Sequence, residues 1–320
     1  MPITPQTHIP VMLREVVEAL APRDGGIYID GTFGRGGYSR AILESAQTTV
    51  FGIDRDPDAI AAGQDMIRAY APRLKLLHGT FGAMKELMAH ENIAVVDGVT
   101  LDLGVSSPQL DEAARGFSFQ EDGPLDMRMS REGRTAADLV NTTAETELAN
   151  IIYKYGDERF SRRVAKRIVE ARKEQPITRT AALAALIRQV VPRSPDGVDP
   201  ATRTFQALRI AINDEMGELE RGLAAAESLL KPQGRLAVVS FHSLEDRCVK
   251  EFLRTRSSAA PRGSRHEPVS EIKTAATFTL LARKPQMPSD GEIAQNPRSR
   301  SARLRVAERN ETPILTENAA

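Results

Sequence analysis

A single cysteine, Cys248, among 320 residues rules out an internal disulfide framework and fits a reducing compartment, where a lone thiol is ordinary packing. No stretch approaches the ~20 apolar residues of a membrane-spanning helix. The opening residues, MPITPQTHIPVMLREVVEAL, lack the basic-then-apolar pattern of a secretory signal. A cytoplasmic protein with no membrane contact is the expectation. His, Cys and carboxylate residues nowhere fall at a convincing metal-ligand spacing, so no metal is expected. Net charge is absent too, with 43 Lys and Arg against 43 Asp and Glu. Also missing is the G-x-G-x-x-G fingerprint of nicotinamide-dinucleotide enzymes.

What is present is YIDGTFGRGG, residues 28–37, where an acid ends a short apolar run and four glycines follow within seven positions. Gly31, Gly34, Gly36 and Gly37 suit a tight strand-to-helix turn that lets a ligand approach the backbone. GIYI before it reads as a buried strand and GYSRAILE after it as an amphipathic helix. The same alternation continues through Val50–Asp54, a helix from Pro57, Leu74–Leu77, a helix near residues 81–89, and Val95–Leu103. Such a rhythm predicts a parallel sheet with crossover helices. It stops after Gly104. Residues 106–134 read as loop and 136–191 as helices, before a long helix from about Thr202 to Leu230 and a strand in GRLAVVSFH. TFTLLAR and ARLRVAER supply two further strands, and the Ser/Pro/Gly/Arg-rich stretch 257–270 a mobile loop.

These elements predict an α/β fold: a doubly wound, seven-stranded, Rossmann-like sheet of the methyltransferase type with an inserted all-helical domain. The expected boundaries are 1–105 and 200–320 for the core and 106–199 for the insertion. In a doubly wound sheet, ligands sit over the carboxyl ends of the strands. Asp54, ending the second strand, is placed to accept bonds from both ribose hydroxyls of an adenosine cofactor, and Asp56 to cap the helix that follows. Asp30 with the glycine backbone would lie near the methionine tail of S-adenosylmethionine. Against the loop pattern D-x-G-x-G-x-G, the chain keeps Asp30, Gly34 and Gly36 but has Thr32 at the first glycine. LDLGVSSPQLD lies at the end of the fourth strand, where a methyl acceptor would meet the sulfonium. A carboxylate buried there, Asp102, is costly without partners. Ser107–Pro108 echoes the [Asn/Asp/Ser]-Pro-Pro-aromatic motif of amino-methyltransferases.

HIPVMLREVVEAL, YIDGTFGRGGYSRAIL, IDRDPDAI, LDLGVSSPQLDEAARGFSFQEDGPLDMRM, TRTFQALRIAIN, SFHSLEDR and NPRSRSARLRVAER together resemble the bacterial MraW/RsmH family of 16S ribosomal RNA cytosine-N4 methyltransferases, nearly end to end. The resemblance implies S-adenosylmethionine as cofactor, contacted by Gly36, Gly37, Tyr38, Asp54, Phe81, Asp102 and Gln109. Tyr38 is a departure, since the family commonly has His there. The resemblance also implies a substrate within the assembled small subunit, the cytidine at position 1402 in customary rRNA numbering. Phe81 is placed to lie against adenine or to serve as a core aromatic. His242 would face the acceptor base or be a structural histidine, and Phe117 and Phe119 would stack on a flipped base or pin their loop.

Basic residues cluster in two places. Twelve Lys/Arg face five Asp/Glu from Arg254 to Arg309, and RFSRRVAKRIVEARK puts Arg162, Arg163 and Arg167 on a helical period. Both can meet RNA phosphates, although a charged helix face is also commonly just solvated. The residues themselves leave open a non-catalytic RNA-binding assembly factor, a methyltransferase acting on DNA or on another RNA atom, and a homodimer.

Overall fold

The computed structural model describes residues 10–193, 197–257 and 276–314. Seven strands form one sheet: β1 Ile27–Asp30, β2 Thr49–Asp54, β3 Leu74–His78, β4 Val96–Asp102, β5 Leu230–Ser240, β6 Phe278–Leu280 and β7 Arg303–Arg309. Their order is β3-β2-β1-β4-β5-β7-β6. The first five are parallel, while β7 runs antiparallel to both β5 and β6. Order reverses between β1 and β4, which makes their carboxyl ends the crevice of the fold.

Both faces of the sheet are covered, as a parallel sheet requires. Side chains alternate across it. Ile29, Ile53, Val99, Leu101 and Val238 pack to one side with Leu219, Leu223 and Val249, and Tyr28, Val50, Ala237 and Val239 to the other with Val16 and Ile42. Burying a side chain of this size contributes roughly 1.5–3 kcal/mol, so the two layers fix the register that carries Asp30, Asp54 and Asp102 to strand ends. Cys248 joins the first layer, where burial pushes its thiol up to about 11. It is a packing residue rather than a nucleophile.

The chain divides into two compact units, residues 1–104 with 216–320, and residues 105–215. The second is helical, with its own apolar core built around Leu139, Ile152, Val164, Ile168, Leu183 and Phe205. Its main helices are Ala136–Thr142, Glu145–Gly156, Ser161–Glu174, Thr180–Arg188 and Thr202–Asn213. The long helix expected over residues 202–230 is in fact two, Thr202–Asn213 and Glu215–Leu229. Asp214 breaks it by taking a left-handed conformation, φ 48°, and the Asn213 amide is drawn off to the Met127 carbonyl and the Met129 N–H. A side chain bonding distant backbone at the last turn competes with helix propagation. The mobile loop expected over 257–270 lies outside the described residues, apart from Ser257 at the end of the helix Ser243–Ser257. Among the described residues, no helix is long and apolar enough to cross a membrane.

Candidate active site

Acids collect at the carboxyl ends of β1, β2 and β4. Asp30 is fully buried, and one carboxylate oxygen accepts from the Ser39 hydroxyl (2.7 Å) and N–H (3.1 Å), the other from the Thr32 N–H (3.3 Å). Burial, with the charge of Asp54 adding to it, outweighs those bonds and pushes its carboxyl up to about 6. Asp54 is raised too, chiefly by burial. Its oxygens accept from the N–H groups of Gly34 and Asp56, each at 2.8 Å. Each oxygen keeps a further lone pair, so the carboxylate can still take hydroxyl donors. Asp56 caps the helix Pro57–Ala62 by accepting from the Asp58 N–H.

Asp102, the last residue of β4, differs from both. Its backbone N–H donates to the Thr32 hydroxyl at 2.7 Å, which ties the glycine loop to β4 and gives Thr32 a task that glycine could not perform. The side chain is less provided for: Oδ1 is buried with no hydrogen-bond partner. Burial first, then the like charges of Asp30 and Glu245, hold the carboxyl well above its ordinary range. An unpaired carboxylate in such a place costs several kcal/mol unless a cation or donor arrives.

The loop itself is shaped by backbone and packing together. Gly34 and Gly36 take φ of +51° and +72°, conformations open to glycine. At Gly37 a side chain is excluded for another reason, since a Cβ would stand 2.0 Å from Pro10 Cγ. Tyr38 points the same way. It is 3 % exposed and its hydroxyl donates to the Val11 carbonyl, with burial raising its pKa well above the usual phenol value. The segment before the helix Leu13–Leu20 is therefore strapped against this loop. Phe81 sits in a short turn after β3, half-buried between Gly31 and Gly222, where a Cβ on Gly222 would lie 2.3 Å from its ring. After β5, His242 Nε2 lies 3.1 Å from Glu245 Oε1, but the alignment does not make a hydrogen bond. Glu245 Oε2 accepts from the N–H groups of Phe241 and His242, at 2.8 and 3.2 Å.

A strand-end acid cluster beside a glycine loop has the chemistry to accept a cationic nucleotide-like ligand, and residues 5–310 match the MraW methylase family. The chain belongs to that family.

Three relatives named ribosomal RNA small subunit methyltransferase H match it over almost their whole length. The protein from Rhodospirillum centenum is 62 % identical over 97 % of this chain and 94 % of its own. Those from Paramagnetospirillum magneticum and Rhodospirillum rubrum are 59 % and 57 % identical, each over 97 % of this chain and over 98 % and 96 % of their own. The orphaned Asp102 oxygen fits the cofactor of an MraW methylase on chemical grounds. S-adenosylmethionine brings a sulfonium and an ammonium, the two positive charges this cluster of carboxylates lacks.

In the helical unit, Ser107 and Pro108 open the short helix Ser107–Asp111, and Gln109 is 5 % exposed with its amide oxygen accepting from the Ser106 N–H at 3.0 Å. Phe117 is buried at 7 %, and Phe119 packs edge-on against Phe205 with centroids 4.8 Å apart. Both aromatics are engaged in packing within the unit. Arg162 and Arg163 are exposed on the helix Ser161–Glu174, while Arg167 donates to Gln189 at 2.8 Å. Ser39, Glu245 and Pro10 escaped the sequence reading. Glu245 left one signal, standing three residues after the helix N-cap where an acid reaches back to the cap N–H. Ser39 and Pro10 act through tertiary contacts that no local pattern announces.

Proposed function

We propose that the chain transfers the methyl group of S-adenosylmethionine to the exocyclic N4 amine of a cytidine in 16S ribosomal RNA of the assembled small subunit, in the cytoplasm. The observation that carries this reading is Asp102, a buried carboxylate with an unpartnered oxygen at the end of β4, where the acceptor amine would meet the sulfonium. Family membership and the names of the relatives supply the substrate class.

Bound S-adenosylmethionine supplies an electrophilic methyl group on a positively charged sulfur. Asp54 would hold the ribose, with Phe81 against the adenine. Asp30, Gly34, Gly36, Gly37 and Tyr38 would form the wall beside the methionine tail, and Gln109 would keep the helix after β4 in shape. Cytosine N4 is a poor nucleophile because its lone pair is delocalised into the ring. The gain in rate therefore comes mostly from holding the amine in line and accepting its hydrogens. Asp102, together with acceptors on Ser107 and Pro108 five and six residues along the chain, would serve that purpose. An amine that has gained the methyl group would carry one proton too many. A carboxylate held above its ordinary range is suited to take it. His242 beside Glu245 would face the base. Arg162, Arg163 and Arg167 of the helical unit, read as the substrate-recognition domain, would meet RNA phosphates.

The test uses small subunits from a strain lacking this chain. Incubation with labelled cofactor and nucleoside mass spectrometry should yield one N4-methylcytidine per subunit. Label on another nucleoside, or none, would overturn the reading.

A further inference from the structure

Between the helices Glu145–Gly156 and Ser161–Glu174 lies a cavity of about 450 Å³, lined entirely by residues of the helical unit. That volume falls within the roughly 300–1,000 Å³ of small-molecule sites. Its walls are unusual in two respects.

The first is charge. Arg159, Arg162 and Arg163 all line it. Four other arginines of this unit are paired with carboxylates: Arg128 with Asp126 at 2.8 Å, Arg179 with Asp122 at 2.6 Å, Arg188 with Asp199 at 2.8 Å and Arg209 with Glu215 at 2.8 Å. Among the described residues, no carboxylate makes an ion pair with any of the three around the cavity. Arg163 lies over the Phe160 ring instead, 5.2 Å from its centroid. Glu158, next to Arg159 in the chain, is turned inward, 3 % exposed, with its carboxylate accepting from the Phe160 N–H at 2.8 Å. Three uncompensated guanidiniums around one concavity concentrate positive potential there and suit the planar, bidentate recognition of a phosphate.

The second is Tyr153. It is 62 % exposed, one of few large apolar-bodied side chains among the described residues that are left open to solvent, and it too lines the cavity. A flat aromatic beside guanidiniums is the combination that stacks an unpaired base while the cations hold its phosphate. A duplex would keep its bases inside the stack, beyond reach of such a ring.

We infer that this cavity takes one unpaired nucleotide of the ribosomal RNA, its phosphate on Arg159, Arg162 and Arg163 and its base against Tyr153, as an anchor separate from the cytidine that is methylated. The inference rests on the proposed activity for its choice of RNA. It adds a base-stacking site to what would otherwise be a basic surface alone.

The experiment measures the full chain on small subunits from the deletion strain in two ways: equilibrium binding by filter retention, and single-turnover methylation at varied subunit concentration and salt. The variants are Tyr153→Ala, Tyr153→Phe and the double neutralisation Arg159→Gln/Arg162→Gln, all at exposed positions. Tyr153→Ala should raise the half-saturating subunit concentration roughly five- to hundredfold, the worth of one stacked base, with Tyr153→Phe losing less because it keeps the ring. The double neutralisation should weaken binding at least tenfold and lower the salt slope by about 0.7, one single-strand phosphate contact. In each case half-saturation should move more than the rate at saturation. Variants with wild-type half-saturation and salt slope would overturn the anchor. So would a loss confined to the saturating rate, or Tyr153→Phe as weak as Tyr153→Ala. A wild-type chain that binds subunits but methylates nothing would instead refute the proposed activity, and the binding series would still decide the cavity.

Discussion

Replacing Asp102 with asparagine should move stability and function in opposite directions. In the cofactor-free chain this side chain is a liability: Oδ1 is buried without a partner, and Asp30 and Glu245 repel its charge. Asparagine keeps the shape, removes the charge and brings an N–H₂ group that neighbouring carboxylates can accept. Relief of one unmet buried charge is worth on the order of 1–3 kcal/mol. At roughly 2–4 °C per kcal/mol for units of this size, melting should rise by several degrees at pH 8. The sign follows from linkage. An acid whose folded pKa is raised binds its proton more tightly when folded, so its ionisation erodes stability as pH rises from the unfolded value through the folded one. The advantage of Asp102→Asn should therefore be largest at high pH and shrink toward pH 4, where the wild-type group is protonated. With cofactor the order reverses. The variant should bind S-adenosylmethionine more weakly while changing less toward S-adenosylhomocysteine, which lacks the sulfonium charge. Single-turnover methylation of small subunits at saturating cofactor should fall roughly a hundredfold, the usual size for one preorganised electrostatic group. Scanning calorimetry from pH 4 to 8, titration calorimetry with both ligands and the single-turnover rate check the three parts. A variant no more stable than wild type at pH 8, with equal affinity for both ligands and an unchanged rate, would refute the reasoning.

Asp54→Ala should lose about 1.5–3 kcal/mol of S-adenosylmethionine affinity by calorimetry, the range for hydrogen bonds to a charged group, and unchanged affinity would remove Asp54 from the ribose. Asp30, held at about 6 against an ordinary 3.8, should cost the cofactor-free chain about 3 kcal/mol as pH climbs through that window. Urea melts of Asp30→Asn and wild type should therefore diverge in the variant's favour between pH 4 and 7. Gly37→Ala places a methyl 2.0 Å from Pro10 Cγ, so the strap before the helix Leu13–Leu20 must shift, and a lower melting temperature with weaker cofactor binding is expected. Charge reversal of Arg162, Arg163 and Arg167 should weaken subunit binding steeply at physiological salt; methylation that stayed at wild-type level would leave that helix face merely solvated.

The sheet was legible because short apolar runs and glycine turns are local signals, and the expected runs at 27–30, 50–54 and 74–77 all became strands. Asp30, Asp54 and Asp102 could be read for the same reason, since each terminates such a run. What escaped was decided by distant contacts. The break at Asp214 depends on the Asn213 amide reaching Met127 and Met129, more than eighty residues back along the chain. Glycine spacing alone suggested ligand approach throughout residues 31–37, yet Gly37 is small to admit Pro10. Thr32, a departure from the expected glycine, earned its place by bonding the Asp102 backbone, an interaction that motif comparison could not supply. The sequence left Phe119 open between stacking on a base and pinning its loop, and only the structure supplied its packing partner, Phe205.

The splice between β4 and β5 has a kinetic meaning. These neighbouring strands pair from Val96 and Leu230 through to Asp102 and Val239, although the whole of residues 103–229 intervenes. Drawing them together from an unstructured chain costs about 4 kcal/mol of loop-closure entropy beyond a constant. Pairings so remote in sequence slow a folding reaction. The helical unit has its own apolar core, so collapsing first would shorten the effective tether before the central strands meet. Mutations at Ile152, Val164 or Ile168 should then retard assembly of a sheet whose residues they do not touch.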